Sequence, residues 1–207
     1  MIQIVKHALI RHKLGLLRQK NISTQDFRRL SNEIAILMMA EITKDLPTED
    51  VKITCWSGDI KVEQVRGKKL TLVPIMRAGF GMLDGCLALV PNAKISIIGA
   101  HRDEQSFETV PYYAKLTPDI DQRLAIIIDP MLATGGTAVH AINVLKKAGC
   151  KNIKGLFIVS APQGMQHMQR THPDVDIFTA AIDDGLDTNA YILPGLGDAG
   201  DRILGTK

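Results

Sequence analysis

The sequence predicts an α/β protein: a mostly parallel twisted sheet flanked by helices, with a helical N-terminal segment, a β-hairpin and a β-arm. Three observations predict it. From Leu70 onward, continuous apolar runs alternate with stretches of helical pattern, which implies parallel strands covered on both faces. A length of 207 residues usually makes one domain and buries a core without disulfides or metals. A composition of 45% hydrophobic and 23% charged residues argues against disorder and collagen-like structure.

The elements follow in order. Residues 1–46 read as helical. Ser23 caps a helix starting near Thr24, with Asp26 in its first turn, where negative charge suits the dipole. Phe27, Leu30, Ile34, Leu37, Met38 and Ile42 recur at three- and four-residue steps, which is one buried face. Pro47 ends this region. Residues 51–65 read as a hairpin turning at Ser57-Gly58, with the lone Trp56 expected to pack. The predicted strands are 70–76, 93–100, 123–129, 155–160 and 175–182. Helical stretches at 79–90, 137–149 and 162–172 lie between most of them. Residues 101–122 are polar, hold two prolines and exceed an ordinary connection, so they read as an arm or lid. The tail, 183–207, is rich in Gly and Asp and shows little helical pattern.

No apolar run approaches the roughly 18 residues of a membrane span, and charges scattered through MIQIVKHALIRHKLG do not suit a signal peptide. Three widely spaced cysteines fit a reducing cytoplasm, as packed core or neutral surface groups. The net charge of +3 hides an asymmetry. Residues 1–30 carry seven basic side chains against Asp26, a balance of +6, which leaves −3 for the remaining 177 residues. Such a head could meet nucleic acid, a phosphorylated effector or an acidic surface, or be a solvated helix face.

The strongest site signal is AIIIDPMLATGGTAVHAINVLKKAG, 125–149. A buried strand reaches Asp129, where ligands of open α/β sheets bind and where an exposed acid could accept from paired sugar hydroxyls. The loop Ala133-Thr134-Gly135-Gly136-Thr137 then opens a helix. Adjacent glycines let backbone approach a ligand, and free amides at the helix start suit a phosphate. Arg77 follows the strand 70–76 and precedes Ala78-Gly79, so a forked cation faces a flexible loop at the same sheet edge. Arg102, beside Asp103 and Glu104, reads alone as an exposed loop charge.

The segment 125–149 resembles the phosphoribosyl-diphosphate (PRPP) signature of type I phosphoribosyltransferases. In that family the strand-end acid lies at the ribose hydroxyls and the loop cradles the 5-phosphate. Many members carry two adjacent acids. Here the second is Pro130, as in the DPMLATGG form of the uracil phosphoribosyltransferases. VKHALIRHKLGLLR, VPIMRAGFGM and YILPGLGDAGDRILGTK resemble the same family, nearly end to end. The resemblance implies transfer of the 5-phosphoribosyl group from PRPP to uracil, giving UMP and diphosphate in pyrimidine salvage. Asp129 and Arg77 are the catalytic residues it implies. PRPP then meets Arg77, Arg102, Asp129, Pro130, Met131, Leu132, Ala133, Thr134, Gly135, Gly136, Thr137 and Asp198. Uracil is read at Ile192, Gly197, Asp198 and Ala199. Asp198 approaches Mg2+, which PRPP mainly holds. The resemblance also implies a homo-oligomer in the cytoplasm and GTP as an activator, with the basic head as a candidate contact. An RNA-binding pyrimidine regulator on the same fold is the alternative, supported only by that head; no nucleic-acid or membrane partner is expected.

Other residues point less sharply. Gly195, Gly197 and Gly200 match the spacing G-x-G-x-x-G, but only seven residues follow, too few for the helix and second strand of a dinucleotide site. The tail glycines are better suited to expose peptide groups to a flat base, whose rejection of analogues follows from leaving buried polar groups unpaired. His7 and His12, like His167 and His172, are five apart, which suits surface or packing roles rather than a metal. Met38, Met39, Met165 and Met168 fit helix packing. Tyr112 and Tyr113, in the arm, could close over a substrate or anchor the loop.

Overall fold

In the computed structural model, residues 1–103 and 109–206 are described, without the side chains of Lys68 and Arg102. The chain does not begin with a helix. Ile2–Ile4 forms strand β1, followed by helices α1 (Ala8–Leu17) and α2 (Thr24–Ile42). The strand is too short to show a period, and its partner lies at the far end of the sequence. The Ser23 hydroxyl caps α2 by accepting from the Asp26 amide at 3.0 Å. All the apolar positions predicted for its buried face are buried except Leu37, which is half-buried.

The hairpin is β2 (Thr48–Cys55) and β3 (Gly58–Val65), starting three residues earlier than the sequence reading. Its strands close at Cys55 opposite Gly58, so the turn residues are Trp56 and Ser57. Trp56 does not pack; it is 99% exposed, because it caps a two-stranded ribbon that pairs with no other strand among the described residues.

Next come β4 (Leu70–Met76), α3 (Phe80–Leu89), β5 (Lys94–Ile95), β6 (Ile97–Arg102) and β7 (Thr109–Lys115). They are followed by β8 (Leu124–Leu132), α4 (Gly136–Lys147), β9 (Asn152–Ser160), α5 (Pro162–Thr171) and β10 (Asp176–Ile182). The predicted strand 93–100 is thus two strands. The arm is antiparallel, β7 returning along β6. Its tip, 104–108, lies outside the described residues. The tail holds the small pair β11 (Gly185–Leu186) and β12 (Ile192–Leu193), then a helix that the sequence reading missed, α6 (Ala199–Leu204). The Asp198 side chain starts that helix by accepting from the Asp201 amide at 2.9 Å.

The main sheet runs β1-β10-β9-β8-β4-β6-β7, with β5 beside β4; only β7 is antiparallel. Alternate side chains serve opposite faces. Leu72, Ile126, Ile128, Leu156 and Phe178 join α1, α2, α3 and α6 in one core. Val73, Ile75, Ile127, Phe157 and Ile177 join α4 and α5 in the other. Connections leave β4 toward β6 and leave β8 toward β9, so the chain reverses its winding between β4 and β8. Ligands of open sheets bind in such a crevice.

Gly85 sets the distance between α3 and α2. Its amide donates to the Asn32 side-chain oxygen at 2.7 Å, and a Cβ there would strike the Asn32 main-chain carbonyl. Gly85→Ala is therefore expected to cost about 1–3 kcal/mol through overpacking. Urea unfolding checks the loss, with activity per folded molecule unchanged. No helix among the described residues is long and apolar enough to cross a membrane.

Candidate active site

The crevice between β4 and β8 opens into a cavity of about 940 Å³. Three segments and the arm wall it. The first is the turn after β4, where Arg77 precedes Ala78 and Gly79. This turn lies directly on backbone: a Cβ on Gly79 would sit 2.5 Å from the Ile128 carbonyl oxygen and 2.7 Å from the Ile75 amide nitrogen. Arg77 is half exposed. Its Nη2 donates to the Asp201 carboxylate at 3.2 Å, linking this turn to α6.

The second segment is β8 and its loop. Pairing with β4 ends at Pro74 opposite Ile128, so Asp129 is the first residue past that ladder and lines the crevice. The sequence reading expected an exposed acid at a strand end. Instead β8 continues along β9 to Leu132, and Asp129 is 9% exposed. Its Oδ1 accepts from the Met131 amide at 3.1 Å, and no cation among the described side chains pairs with it. Burial therefore pushes its pKa up to about 7, only partly opposed by that hydrogen bond.

Beyond Leu132 the backbone turns through Gly135, whose φ of +85° lies in the region glycine favours, and α4 starts at Gly136. No side chain caps this helix at Gly135, so its first-turn amides lack the usual side-chain partner, and the residues around its start, Ala133 to Gly135 and Thr137, line the cavity. The loop is braced from behind by residues the sequence reading did not select. A Cβ on Gly164 of α5 would lie 2.5 Å from the Ala133 carbonyl oxygen, and His167 Nδ1 donates to the Thr134 carbonyl at 3.0 Å. A glycine within the helical stretch PQGMQHMQRT was the available signal for close approach. His167 thus takes the packing role expected for it.

The third segment is the tail. Ala190, Tyr191, Ile192, Asp198 and Gly200 line the same cavity as the glycine loop. Ile192 is buried at 4% exposure. Gly197 is exposed with φ +67°, and Ala199 is fully buried at the start of α6.

Among the residues selected from sequence, the cavity brings together Arg77, Asp129, Met131, Leu132, Ala133, Thr134, Gly135, Thr137, Ile192 and Asp198. Pro130, Gly136, Gly197 and Ala199 stand beside or behind this wall. Arg102 ends β6, and its side chain lies outside the described residues. The arm adds His101, Asp103 and Tyr112 to the wall. For Tyr112 the sequence allows two roles, closing over a substrate or anchoring the loop. Tyr112 lines the cavity, and its hydroxyl donates to the Met76 carbonyl at 3.4 Å.

Part of the basic head is paired within the N-terminal helices, and Arg18 joins it to the body. Lys13 pairs with Glu33, Arg18 with Asp183, and Arg29 with Asp26 and Glu33. Cys86 and Cys150 are buried and Cys55 is half-buried, as packed or neutral groups would be. Burial pushes the Cys86 thiol up to about 12.

The architecture is that of solved phosphoribosyltransferases. A hypoxanthine-guanine phosphoribosyltransferase from Bacillus anthracis matches with TM-score 0.53 and 10% identity, over 77% of this chain and 80% of that one. An adenine phosphoribosyltransferase from Thermoanaerobacter pseudethanolicus matches with TM-score 0.52 and 12% identity, over 77% and 84%. At such identities the likeness is one of fold. A nearer match is the AQ2163 protein from Aquifex aeolicus: TM-score 0.95, 34% identity, covering 98% of this chain and 97% of that one. A family model described as uracil phosphoribosyltransferase matches residues 4–206. That match spans the acid of β8, the glycine loop and the tail that together wall the crevice, and the chain belongs to the uracil phosphoribosyltransferase family.

Proposed function

We propose that this phosphoribosyltransferase takes uracil as its base, converting uracil and PRPP to UMP and diphosphate in pyrimidine salvage. The observation that carries the reading is the meeting, at one sheet crevice, of a buried acid, an amide-rich glycine loop and a Gly-Asp tail, in a chain of this family.

The C1–O bond to diphosphate breaks, a C1–N bond to uracil forms, and the nitrogen's proton is released. Charge develops on the ribose and on the departing oxygens, so catalysis rests on positioning and electrostatics. Thr134, Thr137 and the amides opening α4 anchor the 5-phosphate. Asp129 accepts from the ribose hydroxyls, and those donors favour its charged form. Arg77 meets the diphosphate. Arg102 reaches PRPP from the arm. Ile192 and the peptide groups of Gly197, Asp198 and Ala199 hold uracil opposite the loop.

Magnesium fits this donor set. The Asp198 carboxylate stands on the cavity wall, and magnesium is often held by one or two carboxylates plus substrate phosphates. Asp198 is the residue that would touch it. When bound with PRPP, the ion neutralises charge on the diphosphate. A cytoplasmic homo-oligomer activated by GTP belongs to the same reading.

The test is incubation with labelled uracil, PRPP and magnesium, with adenine, hypoxanthine, orotate and cytosine in parallel. UMP from uracil alone is expected. Transfer to another base in its place would overturn the base assignment.

A further inference from the structure

Peptide groups that read a base have no side chain to adjust. Their position is only as fixed as the turn that carries them, and displacement of about 1 Å can be costly to catalysis. The turn before the proposed base-reading segment is held by two guanidinium groups. Arg18, just beyond α1, donates to both oxygens of Asp183 at 2.8 and 2.6 Å, and to the Gly195 carbonyl at 2.8 Å. Asp183, just beyond β10, accepts in turn from the Gly195 amide at 2.9 Å. Both polar groups of Gly195 are thus committed to one ion pair. The Asp183 side chain is 4% exposed and that of Arg18 is 23% exposed. Arg202 then takes the Leu196 carbonyl at 2.7 Å and the Gln19 carbonyl at 2.5 Å, with its guanidinium 4.6 Å from the Phe27 ring centre.

The pair cannot be a surface ornament. Gly195, with φ +58°, leaves no room for a side chain: a Cβ would meet the Ile192 carbonyl. Gly195 is tied to the pair through both its amide and its carbonyl and lies directly against the Ile192 carbonyl, so the pair fixes the turn at the middle of residues 192–197. A forked cation suits the task, because one planar group bridges a carboxylate and a carbonyl that a lysine would hold singly.

We propose that Arg18 and Asp183 are positioning residues for the base, setting where the 192–199 segment presents its peptide groups. The proposal rests on the reading of that segment as the base site. It gives part of the basic head a role in base recognition rather than in an external partner.

Arg18→Met, Arg18→Lys, Asp183→Asn and the double variant Arg18→Met/Asp183→Asn test it on the full chain. The readouts are KM for the base, kcat, PRPP affinity by calorimetry without base, and Tm. Arg18→Met and Asp183→Asn are expected to raise base KM about tenfold. PRPP affinity, measured without magnesium, should fall by no more than about threefold, well short of the change in base KM, since of the proposed PRPP contacts only Asp198 lies on the moved segment. Arg18→Lys should fall between wild type and Arg18→Met. The double variant should be no worse than the worse single one, because the residues act as a unit. An unchanged base KM in a folded variant overturns the proposal. So does a parallel loss of base and PRPP binding that tracks Tm, which would make the pair merely structural. If Asp183→Asn does not fold, Arg18→Lys decides by the same split. Wild type separates the two readings: if it uses a base other than uracil, the uracil assignment fails, and the variants measured with that base still test the pair.

Discussion

Asp129→Asn is expected to lower turnover about 100-fold or more while leaving the fold as stable as wild type near pH 4 and increasingly more stable up to about pH 8. The sign follows from burial. The carboxyl's pKa rises from 3.8 to about 7 in the folded chain, so the native state holds its proton more tightly than the unfolded state does. Stability then falls as pH rises from about 4 to about 7, and levels off above that. At ~1.4 kcal/mol per pH unit, the interval from pH 5 to 7 costs the wild type roughly 3 kcal/mol that the amide does not incur. Urea unfolding of both proteins at pH 5 and pH 8 measures the difference, and subtracting the variant removes other titrations. The acid is thus a stability cost retained for function. PRPP affinity in the wild type should strengthen from pH 6 to 8 as Asp129 ionises, and this dependence should flatten in Asp129→Asn. A variant losing stability and activity together would show that Asp129 holds the strand rather than the sugar.

Gly136→Val is expected to abolish measurable PRPP binding in calorimetry, a loss of about 100-fold or more, by placing methyl groups where the loop amides must approach phosphate. A Cβ at this position would also lie 2.5 Å from Thr109 Oγ1 at the root of the arm. Two causes are therefore entangled, and a second substitution separates them. Thr109→Ala removes the hydroxyl in the way. The double variant Thr109→Ala/Gly136→Val should regain stability relative to Gly136→Val, yet still fail to bind PRPP. Recovery of binding in the double variant would mean that crowding against the arm, not a filled phosphate cradle, was the fault.

Features carried by local pattern were legible in advance. The runs at 70–76 and 175–182 are strands in place, because strands buried on both faces are continuously apolar. Ser23 and Asp26 marked the start of α2, because a cap is a contact within one turn. The acid and the glycine loop stood out because their chemistry lies in consecutive residues.

Features that depend on distant partners were not legible. Strand β1 exists because Ile2 to Ile4 find Ile177 to Thr179 beside them. Three residues carry no period to announce it. Helix α6 is six residues long, held by the Asp198 cap and by Ile203 buried in the core. Trp56 looked like a packing residue because large aromatics usually are. The ribbon that presents it pairs with no strand of the main sheet among the described residues.

By itself, then, the sequence determined the layered α/β class, the order of most of its elements, and the residue types of a phosphate-binding strand–loop–helix. These follow from hydrophobic period and from glycine and capping chemistry, which act over a few residues. Only the tertiary structure decided that Asp129 is buried with a raised pKa, that Arg77 reaches Asp201, and that a basic head grips the tail through Arg18 and Asp183. Desolvation and ion pairing depend on what is adjacent in space. Residues 165 positions apart become neighbours only when the sheet and its helices close around them.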